Sequence, residues 1–280
     1  MNFITTSSFI VEPFSTPSYP RLIVTKDSLT SSLETKAFEV VFASTTPTVE
    51  TAHGILFKAH AAYTEVKPKL AEFDILVVPG GDFEPIIKQK AQPLDILKNF
   101  SEVQQKYPSR ERTVFTVGTA SLFLGQLGML AGLSATTHPD YFAKFENICS
   151  QAAQRDLAER PNVVEERYVV NNLRFDLGEN PDENPYIRKK SDSGSGRRPS
   201  NARKGSNAWK ESSTRRESIT RRASLVLGGL RVMTAGGTAC GIDASLYLVS
   251  IYASVESAKS VEDALQHQWQ KGVVYDGIDI

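Results

Sequence analysis

Residues 73–79, Phe-Asp-Ile-Leu-Val-Val-Pro, form a nearly unbroken apolar run that stops at Gly80-Gly81. Such a run lacks the polar alternation of a half-exposed strand. It predicts a strand covered on both faces, as in a parallel sheet flanked by helices. Two more segments repeat the form of strand, glycine, then helix. Thr113–Val117 leads into Gly118, and Leu230–Thr234 leads into Gly236-Gly237. Phe38–Ala43, Ser134–Thr137, Val163-Val164 and Tyr168–Val170 add further short strands.

Helical spacing fills the intervals. Leu94, Ile96, Leu97, Phe100 and Val103 space a helix over 93–107. Thr119–Leu130 reads as a buried helix, and His138–Leu157 as another, with Pro139 suited to its first turn. Ala239, Ile242, Leu246, Val249 and Ala253 share one face of a helix after Gly237, and Ser257–Trp269 closes the series. The alternation predicts an α/β fold: a flavodoxin-like parallel sheet with helices on both faces.

Residues 1–36 are rich in Ser, Thr and Pro and hold no sustained period, so they read as a poorly ordered N-terminal segment. The α/β domain is expected over 37–280, interrupted by a Ser/Arg-rich stretch at 177–224. That stretch has too few aliphatics to offset its ordering entropy and reads as a disordered inserted loop. An insertion at a surface turn adds only a slowly growing closure cost. Formal charge supports the division. Arg188–Ser224 holds twelve Lys/Arg against three Asp/Glu, a net of +9. The rest holds 20 basic and 29 acidic residues, a net of −9.

No apolar run is long enough to span a bilayer, and no charged segment followed by an apolar stretch opens the chain. Cys149 and Cys240 cannot make a disulfide framework and fit a reducing compartment. A cytoplasmic location is expected, with nuclear placement also allowed. No metal or cofactor motif is present, and none is expected to be needed.

The three glycine turns should meet at the carboxyl ends of the strands, where open parallel sheets form pockets. The turns are Val78-Pro79-Gly80-Gly81, Val117-Gly118-Thr119-Ala120 and Thr234-Ala235-Gly236-Gly237. Read from the residues alone, they are either simple tight turns or a ligand cradle. A helix starting at Thr119 would turn its first N–H groups toward an anion. Cys149 lies among apolar neighbours and reads as core packing, as free cysteines usually do. Cys240 opens a helix near the same end of the sheet.

The quoted segments, with Gly128–His138, Thr234–Ala244 and Arg167–Val170, resemble the ThiJ/PfpI family of the class I glutamine amidotransferase-like superfamily. The basic insertion and the ending Lys271–Asp279 look like a fungal branch of it. The resemblance implies a homodimer and glyoxalase, hydratase or hydrolase chemistry. It also implies a cysteine nucleophile on a strained elbow, within a turn that reads Val-Cys-Thr-Gly. Here Gly118 holds the cysteine position and Ala120 the glycine position. His138 matches the family histidine that lines the cysteine pocket. The family acid follows its first strand, and only Glu12 stands near an apolar pair in that region. Asp243 reads as structural near a helix start, where a carboxylate suits the helix dipole.

These residues imply a protein without the family nucleophile, catalytically altered or inactive. It is expected to bind a small carbonyl or anionic ligand at Gly80, Gly81, Gly118, Thr119 and His138. One alternative is an enzyme using Thr119 with His138, Cys240, or an activated water. Another is a phospho-regulated scaffold. Arg197-Arg198-Pro199-Ser200, Arg215-Arg216-Glu217-Ser218 and Arg221-Arg222-Ala223-Ser224 resemble targets of basophilic kinases, so Ser200, Ser218 and Ser224 are phosphorylation candidates. Nucleic-acid binding is disfavoured: no binding-fold signature accompanies the basic loop, and Trp209 is the one aromatic at its heart.

Overall fold

The computed structural model describes residues 2–5, 38–50, 56–89, 92–174, 223 and 226–276. Glu12, Ser200, Ser218, Ser224 and nearly all of the expected insertion lie outside the described residues.

Eight strands make one sheet. They are β1 (Asn2–Thr5), β2 (Glu39–Ser44), β5 (Ala61–Ala62), β6 (Ile75–Val78), β7 (Thr113–Val117), β10 (Tyr168–Asn172), β11 (Arg231–Ala235) and β12 (Val273–Asp276). Their order is β12-β10-β11-β7-β6-β1-β2-β5. Two small pairs stand apart: β3 (Thr48–Glu50) with β4 (Leu56–Lys58), and β8 (Ser134–Ala135) with β9 (Asn162–Val163). The helices are α1 (Tyr63–Val66), α2 (Glu84–Gln89), α3 (Gln92–Lys106), α4 (Ser121–Gln126), α5 (Phe142–Asp156), α6 (Thr238–Tyr252) and α7 (Val255–Leu265).

The two-sided burial expected of residues 73–79 is present. Ile75, Leu76, Val77 and Val78 are all buried. Leu76 and Val78 pack with Leu97 and Phe100 of α3, Leu122 of α4 and Phe145 of α5. Ile75 and Val77 pack with Ala244 and Leu248 of α6. Alternate side chains of one strand thus serve two cores, which is why the run cannot alternate with polar residues. The fold is α/β, with helices on both faces of a mainly parallel sheet.

Three details depart from the sequence reading. First, the N-terminal residues are not all peripheral: β1 lies between β2 and β6 and pairs parallel with both. Four residues are too few to show a period, so only pairing with two neighbours identifies the strand. Second, β10 runs antiparallel to β11, with Tyr168 opposite Ala235 and Asn171 opposite Val232. Chain entry and exit of the insertion therefore sit side by side at the amino end of β11. Third, the helix expected from Thr119 to Leu130 ends at Gln126. Gly128 and Gly132 follow with φ of +72° and +73°, a conformation that glycine tolerates and a helix does not contain.

Two arginines, one buried and one exposed, tie helix ends to the sheet. The Arg112 guanidinium is 2% exposed and donates to Tyr107 O, Ala71 O and Gln104 Oε1. Arg110 donates to Asp74 Oδ1 at 2.6 Å and to Ala71 O and Glu72 O. These carbonyls close α3 and the 3₁₀ turn Lys67–Glu72, where backbone acceptors lack helical partners.

The C-terminal strand is fixed by a carboxylate. Asp243 is fully buried and accepts from Arg167 Nε at 2.7 Å, His267 Nε2 at 2.8 Å and Gln270 N at 3.0 Å. Beside it, Gly272 passes so close to Tyr168 that an added Cβ would stand 2.2 Å from Tyr168 O. Among the described residues no helix is long and apolar enough to cross a membrane.

Gly272→Ala is expected to displace β12 from β10 and to lower stability by about 1–3 kcal/mol, the usual cost of overpacking. Urea denaturation against the parent chain checks it; an unchanged midpoint would refute the close approach.

Candidate functional site

Parallel pairing brings the three glycine turns together. Val78 lies opposite Thr116, and Ala235 opposite Val117, so β6, β7 and β11 end at one edge. Gly118 follows β7 with φ of +61°, in the left-handed region. A Cβ at Gly118 would meet Gly236 O at 3.6 Å and Gly80 Cα at 3.8 Å, ordinary contacts. The elbow therefore has room for a side-chain stem, and its left-handed backbone is one that glycine adopts without strain.

Gly80 is needed for a different reason. A Cβ there would stand 3.0 Å from Val117 O, 3.1 Å from Thr119 N and 3.2 Å from Thr119 Oγ1. The loop after β6 lies directly against the elbow. A reciprocal pair of bonds holds it. Gly81 N donates to Thr119 Oγ1 at 2.9 Å, and Thr119 Oγ1 donates to Gly81 O at 2.8 Å.

That pair decides what Thr119 can do. Its hydroxyl proton is aimed at a carbonyl, not at a base. Among the described residues no hydrogen bond joins Thr119 to His138. His138 sits at the head of the 3₁₀ turn Pro139–Tyr141, and its Nδ1 accepts from Asp140 N at 3.4 Å. Its side chain is 27% exposed, and its ring lies edge-on to Tyr141, with centroids 6.0 Å apart. A Cβ at Gly237 would be 3.9 Å from His138 Cδ2, so the ring borders the third glycine turn. Gly80, Gly81, Gly118, Thr119 and His138 thus gather around one edge, but Thr119 and His138 do not form a nucleophile–base pair.

Other groups complete the elbow. Gly118 O accepts from Ser121 Oγ at 2.9 Å and from Thr137 Oγ1 at 3.1 Å, and both hydroxyl residues are buried. Thr137 precedes His138 directly, so this bond fixes where the histidine leaves the core. Its role was not legible in the sequence, because the bond joins residues 19 positions apart. Phe83 and Tyr141 stack edge to face at 5.5 Å and link the loop after β6 to the histidine turn. Lys144 stands over Phe83 at 4.6 Å and pairs with Glu84, whose carboxyl it holds below the usual range. Nothing in the sequence pattern singled out Phe83, Tyr141 or Lys144, because their contacts join three separate segments.

The two thiols differ. Cys149 Sγ packs in the core, 2.9 Å from where a Cβ of Gly125 would lie. Burial pushes its pKa up to about 12, with a smaller contribution from Glu146. Cys240 is half-buried in the first turn of α6, and its Sγ is 3.4 Å from the Cβ position of Gly236. It is therefore a neighbour of the third turn and does not occupy the elbow. Asp243 lies beyond the first turn of α6, so it does not serve the helix dipole as expected; it holds the C-terminal tail through His267 and Gln270 and pairs with Arg167. Among the described residues no group of His, Cys, Asp or Glu could hold a metal ion. A cavity of about 10 Å³, room for one water, is lined in part by Gly125, Cys149 and Ala152 and lies away from the elbow.

A family model described as the DJ-1/PfpI family matches residues 23–173, more than half of the chain. No match is found among curated proteins. A solved ThiJ/PfpI family protein from Pseudomonas syringae is 12% identical with a TM-score of 0.45. That match covers 84% of this chain and 65% of the other, so the chain spans just under two thirds of that protein's length. The DJ-1 protein of Schizosaccharomyces pombe is 13% identical with a TM-score of 0.47, covering 82% of this chain and 86% of that one. DJ-1beta of Drosophila melanogaster is 13% identical at 0.46, covering 83% and 85%.

Two outcomes are expected. In native protein at pH 8, iodoacetamide labels Cys240 and leaves Cys149 unmodified, because a thiol with its pKa raised to about 12 carries almost no thiolate there. Mass spectrometry of the labelled peptides checks it. Thr119→Val removes both bonds to Gly81 and is expected to cost about 1–3 kcal/mol, read as a lower urea midpoint with a new chemical shift for the Gly81 amide.

Proposed function

The chain belongs to the DJ-1/PfpI family, and from that premise we propose that it binds a small carbonyl or anionic ligand at the glycine elbow without forming a thiol adduct. One observation carries the reading. Gly118 keeps a left-handed φ of +61° where a side chain would be strained, yet the space for that side chain is open. A left-handed conformation costs an ordinary residue about 1–2 kcal/mol. With glycine the same corner exists without that cost and without sulfur.

The ligand would sit over Gly118, between the Gly80-Gly81 loop and His138. N–H groups in the first turn after Val117 have no acceptor within that turn and suit a carbonyl or carboxylate oxygen. Gly81 N is already committed to Thr119, so it supports the loop and does not hold the ligand. His138 borders the opposite wall. Binding without chemistry follows from the missing nucleophile: no glyoxalase, amidase, peptidase or isocyanide-hydratase turnover is expected.

A second reading keeps an enzyme with a substitute thiol. It is favoured by one contact, Cys240 Sγ beside Gly236, whose carbonyl borders the elbow. Blocking Cys240 separates the two: turnover abolished by alkylation supports the thiol, and indifference ends it. Family resemblance also supports a homodimer, which light scattering of the purified chain tests.

The deciding experiment compares wild type with Gly118→Cys on methylglyoxal and on an isocyanide. Wild type is expected to show ligand-induced shifts of the Gly118 and Thr119 amides with no turnover. The variant, about 1–2 kcal/mol less stable, is expected to gain activity. Turnover by wild type that vanishes in His138→Ala would overturn the proposal.

A further inference from the structure

Charge is distributed unevenly around the elbow. Because β10 runs antiparallel to β11, the residues just before Tyr168 lie at the carboxyl edge that carries the glycine turns. Gly236 N donates to Arg167 O at 2.9 Å, and Thr136 Oγ1 donates to Glu166 O at 2.9 Å. Glu165 and Glu166 are exposed there. Asp82 is exposed in the loop after β6, and Asp140 in the turn headed by His138. Three separate segments thus bring four carboxylates to one rim.

The cations of the same rim are committed elsewhere. Lys144 and Lys88 both pair with Glu84, and Arg167 pairs with the buried Asp243 at 2.5 Å. Lys271 stands over the Trp269 ring, next to β12 and two strands from β11. Among the described residues no Lys or Arg pairs with Asp82, Asp140, Glu165 or Glu166. Asp140 approaches the His138 ring instead, with Nδ1 at 3.6 Å. Across residues 79–89, 136–144, 164–167, 236–243 and 267–272, six Asp/Glu stand against four Lys/Arg, a net of −2.

We infer that the elbow selects small carbonyl compounds that carry an ammonium group and turns away carboxylates. The inference rests on the ligand-binding reading above and fixes the charge that reading left open. A carboxylate ligand is held by a free Lys or Arg, and Lys144 and Arg167 are already neutralised by Glu84 and Asp243. A rim of one sign attracts ligands of the other and rejects its own. Each net charge on the order of 10 Å away in water changes the affinity of a unit charge about twofold. A net of −2 therefore weakens an anion about fourfold and strengthens a cation about fourfold.

The test uses the full chain and three methyl ketones of similar size: aminoacetone, hydroxyacetone and pyruvate, which are cationic, neutral and anionic. Shifts of the Gly118 and Thr119 amides give each Kd. At low ionic strength aminoacetone is expected to bind at least about tenfold more tightly than pyruvate, with hydroxyacetone between them. Salt at about 0.5 M shortens the Debye length to a few Å and should bring the three together. Glu165→Gln with Glu166→Gln, both at exposed positions, removes the net charge and should do the same at low salt, while hydroxyacetone keeps its Kd. Pyruvate binding as tightly as aminoacetone at low salt overturns the selectivity and leaves binding at the elbow intact. A preference that ignores both the salt and the double variant does so too. If none of the three ketones moves these amides, the binding reading falls, and relaxation of the same amides by cationic and anionic nitroxides reads the rim alone. Stronger relaxation by the cationic nitroxide upholds the charge filter; equal or weaker relaxation overturns it.

Discussion

Close approach of three glycine turns, latched by the Thr119 hydroxyl, organises the centre of this molecule. The loop after β6 touches the elbow after β7, and a Cβ on that elbow would come into ordinary contact with Gly236 O of the turn after β11. Such proximity needs three strands running the same way and ending at the same level, which the pairing of β6, β7 and β11 supplies. It also needs glycine at Gly80, where any Cβ would press on Val117 O and on Thr119. Once the turns meet, the reciprocal bonds of Thr119 with Gly81 and the two hydroxyl donors on Gly118 O follow as local consequences.

The two ends of the sheet have different chemistry. The carboxyl end carries glycines, hydroxyls, His138 and aromatic neighbours. The amino end carries arginines. Arg231 pairs with Glu111 and donates to Tyr252 Oη and Thr113 Oγ1, while Arg112 and Arg110 close helix termini with carbonyl acceptors. Desolvation, and then the nearby Arg110 charge, lower the pKa of Arg112. Because β10 is antiparallel to β11, the inserted stretch leaves and returns at the arginine end. Five residues of strand, on the order of 15 Å, separate its attachment points from the elbow.

Legibility in the sequence followed periodicity and chain-local chemistry. The central strands were readable because burial on both faces leaves a continuous apolar run, as in Ile75–Val78 and Thr113–Val117. The buried state of Cys149 was readable from its apolar neighbours. β1 was not, since Asn2–Thr5 is short and its place depends on partners 37 and 72 positions away. The direction of β10 was not readable either, because a strand's apolar pattern is the same whichever way it runs. For the site, the glycine turns were located from the residues and His138 by resemblance. The engagement of the Thr119 hydroxyl was not, because its partner lies 38 residues earlier in the chain.

By itself the sequence determined the fold class, the positions of the three glycine turns and the absence of sulfur at residue 118. These depend on residue type and on spacing within one segment, which pairing cannot alter. Tertiary structure alone decided that the turns touch, that Gly118 adopts a left-handed φ, that the Thr119 proton points at Gly81 O, and that Ala223 is held in the core. Each of these is a relation between distant segments. Its energy exists only when parallel strands and packed helices bring those segments within bonding distance.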